Sequence, residues 1–232
     1  MRKIALGLAL CLAPVTALAG IVGASYDRPV ARYGHDILGD TPEWGALRLR
    51  MADGQVRTYV LPGSEIFEDI APRLADLDGD GTLEVIAVQT SVTQGARLSV
   101  WDETGLVAAT PYIGRAHRWL APVGAADLDG DGKIEIAYVE KPHLAKVLKV
   151  WRFDAGKLVF VTEQAGLTNH KIGWAFIAGG LRVCAGQVPV MVTASGDWQS
   201  VMETVLTRGR LRSEARGAYR GPESLEAALS CR

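Results

Sequence analysis

The stretch ADLDGDGTLEV (residues 75–85) sets three aspartates at alternate positions around two glycines and places a glutamate where the chain turns apolar. It returns 51 residues later as ADLDGDGKIEI (residues 126–136). Asp76, Asp78 and Asp80 hold positions 1, 3 and 5 of the first loop and Glu84 position 9; Asp127, Asp129, Asp131 and Glu135 repeat them in the second. Asp and Gly dominate turns of many kinds, so one copy would read as a polar turn. Two copies with matched acids read as cation sites, because clustered carboxylates repel one another until a cation joins them. Calcium suits such a set best, since it accepts about six to eight oxygens at flexible angles, whereas magnesium demands stricter geometry and retained waters. The glycines let the backbone curl so that alternate carboxylates converge. Carbonyls of Thr82 and Lys133, at position 7, would complete each cage. An EF-hand needs a bidentate Glu at position 12 between two helices. Position 12 is Ala87 in one loop and Tyr138 in the other, and both loops run into strand-like sequence.

Working outward, the similarity extends beyond the loops. ARLSVWDETGLV (residues 96–107) parallels KVLKVWRFDAGKLV (residues 146–159), so Trp101 and Trp151 take matching places. The stretches from Ala46 and from Gln187 repeat the strand pattern without the acids. Period-two alternation in LEVIAVQT, RLSVW, IEIAYVE and KLVFVTE, with Asp-Gly and Gly turns between, predicts short antiparallel strands. Four units of about fifty residues result, roughly 21–70, 71–120, 121–173 and 174–216. The expected fold is therefore all-β, a small β-propeller of about four blades with calcium-binding turns in blades 2 and 3; a sandwich or an open array is the alternative. One short helix is expected over residues 222–230.

These loops and the strands that follow them resemble the FG-GAP/VCBS repeats of secreted bacterial proteins, related to the calcium-bearing blades of integrin α-chain propellers. The resemblance covers residues 72–98 and 122–150. It implies a β-propeller with calcium in an inter-strand turn of each complete repeat. Asp76, Asp78, Asp80, Thr82 and Glu84 would form one ligand set, and Asp127, Asp129, Asp131, Lys133 and Glu135 the other. The two ions would be structural. The first and fourth units lack the acids, and roles in such proteins range over adhesion, ligand binding and scaffolding.

The first 19 residues combine a basic start, an apolar run interrupted by Pro14 and the small-residue stretch Ala17–Ala19, which together read as a signal peptide. Residues 20–232 are then one exported domain, periplasmic or extracellular, with no membrane span. Loss of Arg2 and Lys3 would take the formal net charge from -1 to -3, too balanced to imply nucleic acid. Cys184 and Cys231 would remain as an even pair, expected to form a disulfide in an oxidising compartment; two separate buried thiols are the alternative.

Of the six tryptophans, Trp101 and Trp151 are expected in the core between units, while Trp44, Trp119 and Trp174 are candidates for a ligand face. The four histidines, His35, His117, His143 and His170, have no zinc-binding spacing. His35 beside Asp36, together with His170, could face one propeller mouth. No GxSxG turn or phosphate loop occurs. Arg208, Arg210, Arg212, Arg216 and Arg220 read as a solvated strand face. The function expected is a binding or scaffold module for a protein or carbohydrate ligand. The alternative is a propeller-based hydrolase or lyase with its site at the central mouth.

Overall fold

The computed structural model describes residues 20–231; the leader expected over residues 1–19 lies outside them. The fold is all-β, built of antiparallel sheets. The first sheet joins β1 (Ile21–Val30), β2 (Glu43–Met51), β3 (Val56–Val60), β4 (Glu65–Phe67), β5 (Arg73–Ala75), β6 (Glu84–Ser91), β7 (Gly95–Asp102) and β8 (Gly105–Ala109). The second is a meander of β9 (Leu120–Ala126), β10 (Glu135–Glu140), β11 (Val147–Asp154) and β12 (Lys157–Ala165). The third holds β13 (Leu167–Thr168), β14 (Gly180–Arg182), β15 (Val190–Ser195), β16 (Ser200–Thr207) and β17 (Arg210–Ala218), followed by the helix α1 (Pro222–Ala228).

This differs from four separate units. The three-residue strand β4 pairs with β2 through Trp44 and Phe67, and with β6 through residues 65–67 against 89–91. β5 then pairs with the other half of the same edge of β6. The first two repeats are thereby hydrogen-bonded into one sheet.

Alternation along the central strands explains how the sheets stack. In β6, Ile86 and Val88 enter one apolar cluster while Val85 and Ala87 enter another, so the strand is buried on both faces. In β10, Ile136 and Tyr138 join the first of these clusters and Ala137 and Val139 a third, shared with Leu148, Met191 and Leu206. Each central strand thus divides its side chains, period two, between its preceding and following neighbours. Every fully buried aliphatic in this arrangement contributes about 2 kcal/mol, so the apolar runs hold the sheets in series. Trp101 and Trp151 face matching inter-unit clusters, as their positions in the repeat imply. The helix caps the third sheet with Leu225, which is fully buried against Val192 and Ala194. Cys184 and Cys231 form a disulfide that ties the segment after α1 to the loop after β14. Among the described residues, no helix is long and apolar enough to cross a membrane.

Candidate metal sites

Both acidic loops connect the inner strand of a sheet, β5 or β9, to its buried central strand. Each is pinned by the leucine at position 2: Leu77 and Leu128 are buried in the core. The N–H of Leu77 donates to Glu84 Oε2 at 2.7 Å, and that of Leu128 to Glu135 Oε2 at 2.9 Å. The position-9 glutamate is therefore fixed by the backbone of its own loop and buried at the strand start. The first aspartate organises the turn. Asp76 accepts the N–H groups of Gly79 and Gly81 at 2.8 and 3.1 Å, and Asp127 those of Gly130 and Gly132 at 2.7 and 2.8 Å. Gly79 and Gly81 adopt φ of 78° and 88°, and a Cβ there would meet nothing within 4 Å. Glycine is required by the backbone conformation rather than by space.

These constraints bring Asp76, Asp78 and Glu84 together with ligand atoms within 4.8 Å of one another, and likewise Asp127, Asp129 and Glu135. Asp80 and Asp131 stand outside the two groups, each accepting the N–H of the residue at position 7, from Thr82 at 2.7 Å and Lys133 at 3.0 Å. The Lys133 ammonium pairs with Asp154 at 3.1 Å. A cation fits the donor sets. In the second loop Asp129 Oδ1 is buried without a hydrogen-bond partner. In the first, burial pushes the Glu84 carboxyl up to about 7, with Asp78, Asp80 and Asp76 adding repulsion.

The loops differ in a residue that the acidic motif does not contain. Arg152, paired in register with Glu135, donates to it at 2.6 Å and reaches Asp129 at 3.2 Å and Asp131 at 2.9 Å. Its guanidinium supplies positive charge inside the second loop. In the first sheet Val85 pairs with Trp101, which places Asp102 opposite Glu84 where the second sheet has arginine. Asp102 is occupied with the β7–β8 turn, accepting from the N–H of Thr104 at 2.6 Å. Motif reading missed Arg152; the signal was VWD against VWR in the parallel stretches.

The other singled-out residues fall as follows. Trp119 is core, 2% exposed, its Nε1 donating to the Glu68 carbonyl at 2.8 Å, and it borders the cleft that His35 also lines. Trp44 is half-buried beside Tyr26. Trp174 stacks on Phe176 and meets Trp198, with the Lys171 ammonium over Trp198. His35 pairs not with Asp36 but with the buried Glu68, Nδ1 to Oε1 at 2.5 Å. His170 is buried and bonded to His143 at 2.9 Å. Arg216 pairs with Glu203 at 3.1 Å, and Arg208, Arg210 and Arg212 are exposed.

No curated protein matches the chain. Residues 76–138, from the first aspartate of one loop to the strand that follows the other, match and carry an FG-GAP-like repeat.

Proposed function

We propose that the protein is an exported, calcium-stabilised binding or scaffold module, a small β-propeller of about four blades presenting loops to a protein or glycan ligand. The carrying observation is the pair of carboxylate groups, each gathered within 4.8 Å at the start of a buried strand. One calcium would be held by Asp76, Asp78, Asp80, Thr82 and Glu84, the second by Asp127, Asp129, Asp131, Lys133 and Glu135, with Thr82 and Lys133 contributing carbonyls. Bound there, calcium neutralises the turns and locks β5 to β6 and β9 to β10. Support for a propeller comes from contacts of β5 with β9 and β9 with β14 at one side, and of β8 with β12 and β12 with β17 at the other. A disulfide supports an oxidising compartment, periplasmic or extracellular.

The rival reading, a hydrolase or lyase at the central mouth, draws on the His35–Glu68 pair. Among the described residues, the cleft bordered by His35 is lined by no serine, cysteine or carboxylate side chain. Binding therefore has the greater support.

Thermal unfolding of residues 20–232 in calcium, in magnesium and in chelator tests the proposal. Saturating calcium, at about 100 times Kd, should stabilise by about 2.7 kcal/mol for each of the two ions. Together this amounts to a rise in Tm of about 10–20 °C for a chain of this size. Equal melting in all three conditions would reduce the aspartates to turn residues.

A further inference from the structure

The four histidines are far apart in the chain yet converge at one end of the sheets. His35, His117 and His143 line a cleft of about 300 Å³, with His170 behind His143. The loop before β2, the segment before β9, the β10–β11 connection and the segment after β13 form its walls. The His35 and His117 rings stack with centroids 5.0 Å apart. The Glu68 carboxylate is spent on His35 at 2.5 Å and on the Thr90 hydroxyl at 3.0 Å, and is 3% exposed. The Trp174 carbonyl can only accept, so His170 donates to it from Nε2 at 2.9 Å and accepts at Nδ1. His143 must then donate from Nε2, which fixes the tautomer of a neutral pair.

The cleft also carries positive charge. Arg118 and Lys141 line it and, among the described residues, no carboxylate does. Lys141 has Glu140 beside it at 2.9 Å, whereas Arg118, among the described residues, has no acidic partner and bonds only the His117 carbonyl at 2.9 Å. The lining also has apolar side chains: Ile37 is buried, while Leu144 and Ile172 are 62% and 70% exposed.

The walls are held in place rather than loose. The Arg118 carbonyl accepts the Ala96 N–H at 2.8 Å and the Trp119 carbonyl that of Lys141 at 2.9 Å. Two lining residues, His117 and Lys141, lie in the left-handed region, at φ of 54° and 49°.

We propose that this cleft is a binding site for a small organic carboxylate with an apolar body, its carboxylate held by Arg118 with Lys141 and His117 alongside, and its body against Ile37, Leu144 and Ile172. A guanidinium without an acidic partner is the residue best suited to grip a carboxylate. The cleft volume fits a free small molecule rather than a folded partner. This site is separate from the acidic loops and stands whether or not they bind calcium.

With only four histidines, the ring ¹H–¹⁵N resonances of the calcium-loaded protein give a resolved readout. Phenylacetate should move His117 and His35 saturably, and 2-phenylethanol, which keeps the apolar body without the charge, should not. Arg118→Gln should weaken binding at least tenfold, while Arg212→Gln, on the distant β17, should leave it unchanged. Should Arg118→Gln fail to fold, Leu144→Asp on the exposed rim serves instead, expected to abolish binding by setting a negative charge beside the ligand carboxylate. The proposal is overturned by no saturable response to phenylacetate, by an equal response to the alcohol, or by full affinity in the folded Arg118 variant. An equal response to inorganic phosphate would overturn the role given to the apolar rim.

Discussion

The two acidic loops share seven consecutive residues, ADLDGDG, followed after two positions by Glu in both, yet their electrostatic settings are opposite. The second has Arg152 across the strand from Glu135, touching three of its carboxylates. The first has Asp102 in that register, and its Glu84 carries the repulsion of three aspartates with, among the described residues, no cationic side chain paired to it. The lesson is that a ligand motif specifies where carboxylates converge, while the neighbouring strand decides how much charge remains for an external ion to neutralise. On the proposed function, calcium entering the second loop would compete with a tethered guanidinium, whereas among the described residues the first loop has no such competitor. The first loop should therefore gain more from the ion.

The sharpest way to break this comparison is to remove the internal cation. Arg152→Ala leaves Glu135 fully buried and unpaired, which should cost about 3 kcal/mol in chelator. Urea unfolding with and without calcium measures it, and saturating calcium should recover most of the loss. A variant as stable as the parent in chelator would show that Arg152 is only a surface pair, and the distinction between the loops would fall.

The acids, the turn glycines and the repeat were legible in sequence because each is local: spacing alone determines which carboxylates can converge. The helix start was legible for the same reason, with Pro222 and Glu223 at its first turn. The disulfide followed from counting. What escaped depends on contacts between distant segments. Glu65–Phe67 is too short to show alternation, yet it fuses the first two repeats by pairing on both sides. His35 finds Glu68 across 33 residues and His143 finds His170 across 27, separations that no motif encodes. Arg152 lies 17 residues beyond Glu135, outside the acidic motif, and only the VWR against VWD difference between the parallel stretches pointed to it.

A smaller effect separates the loops by their response to the ion itself. Asp78→Ala should remove the larger part of the calcium-dependent rise in Tm, and Asp129→Ala the smaller part. Both substitutions delete one carboxylate from a group of three, so the ligand loss is matched. The setting differs: Asp129 is half-buried beside Arg152, whereas Asp78 is exposed. Melting curves over a calcium titration would compare them, and equal losses would mean that Arg152 moves aside at little cost.

The smallest expected change in stability carries the most specific information. Asp102→Arg installs in the first sheet the residue that the second already has. The new side chain stands in register with Glu84, but the turn loses the Asp102 bonds to Thr104 at 2.6 Å and Gly105 at 3.1 Å. Losing the two turn bonds costs about 2 kcal/mol, and a hydrogen-bonded charge pair with Glu84 contributes about as much in return. Calcium-free stability should therefore change by less than about 1 kcal/mol, while the calcium-dependent rise in Tm shrinks because the loop now holds its own cation. Isothermal titration separates the two terms, since the affinity of the first loop should fall toward that of the second. Unaltered calcium affinity would show that the guanidinium needs more than register to enter an acidic loop, and the search would turn to how Asp131 and Asp129 draw Arg152 inward.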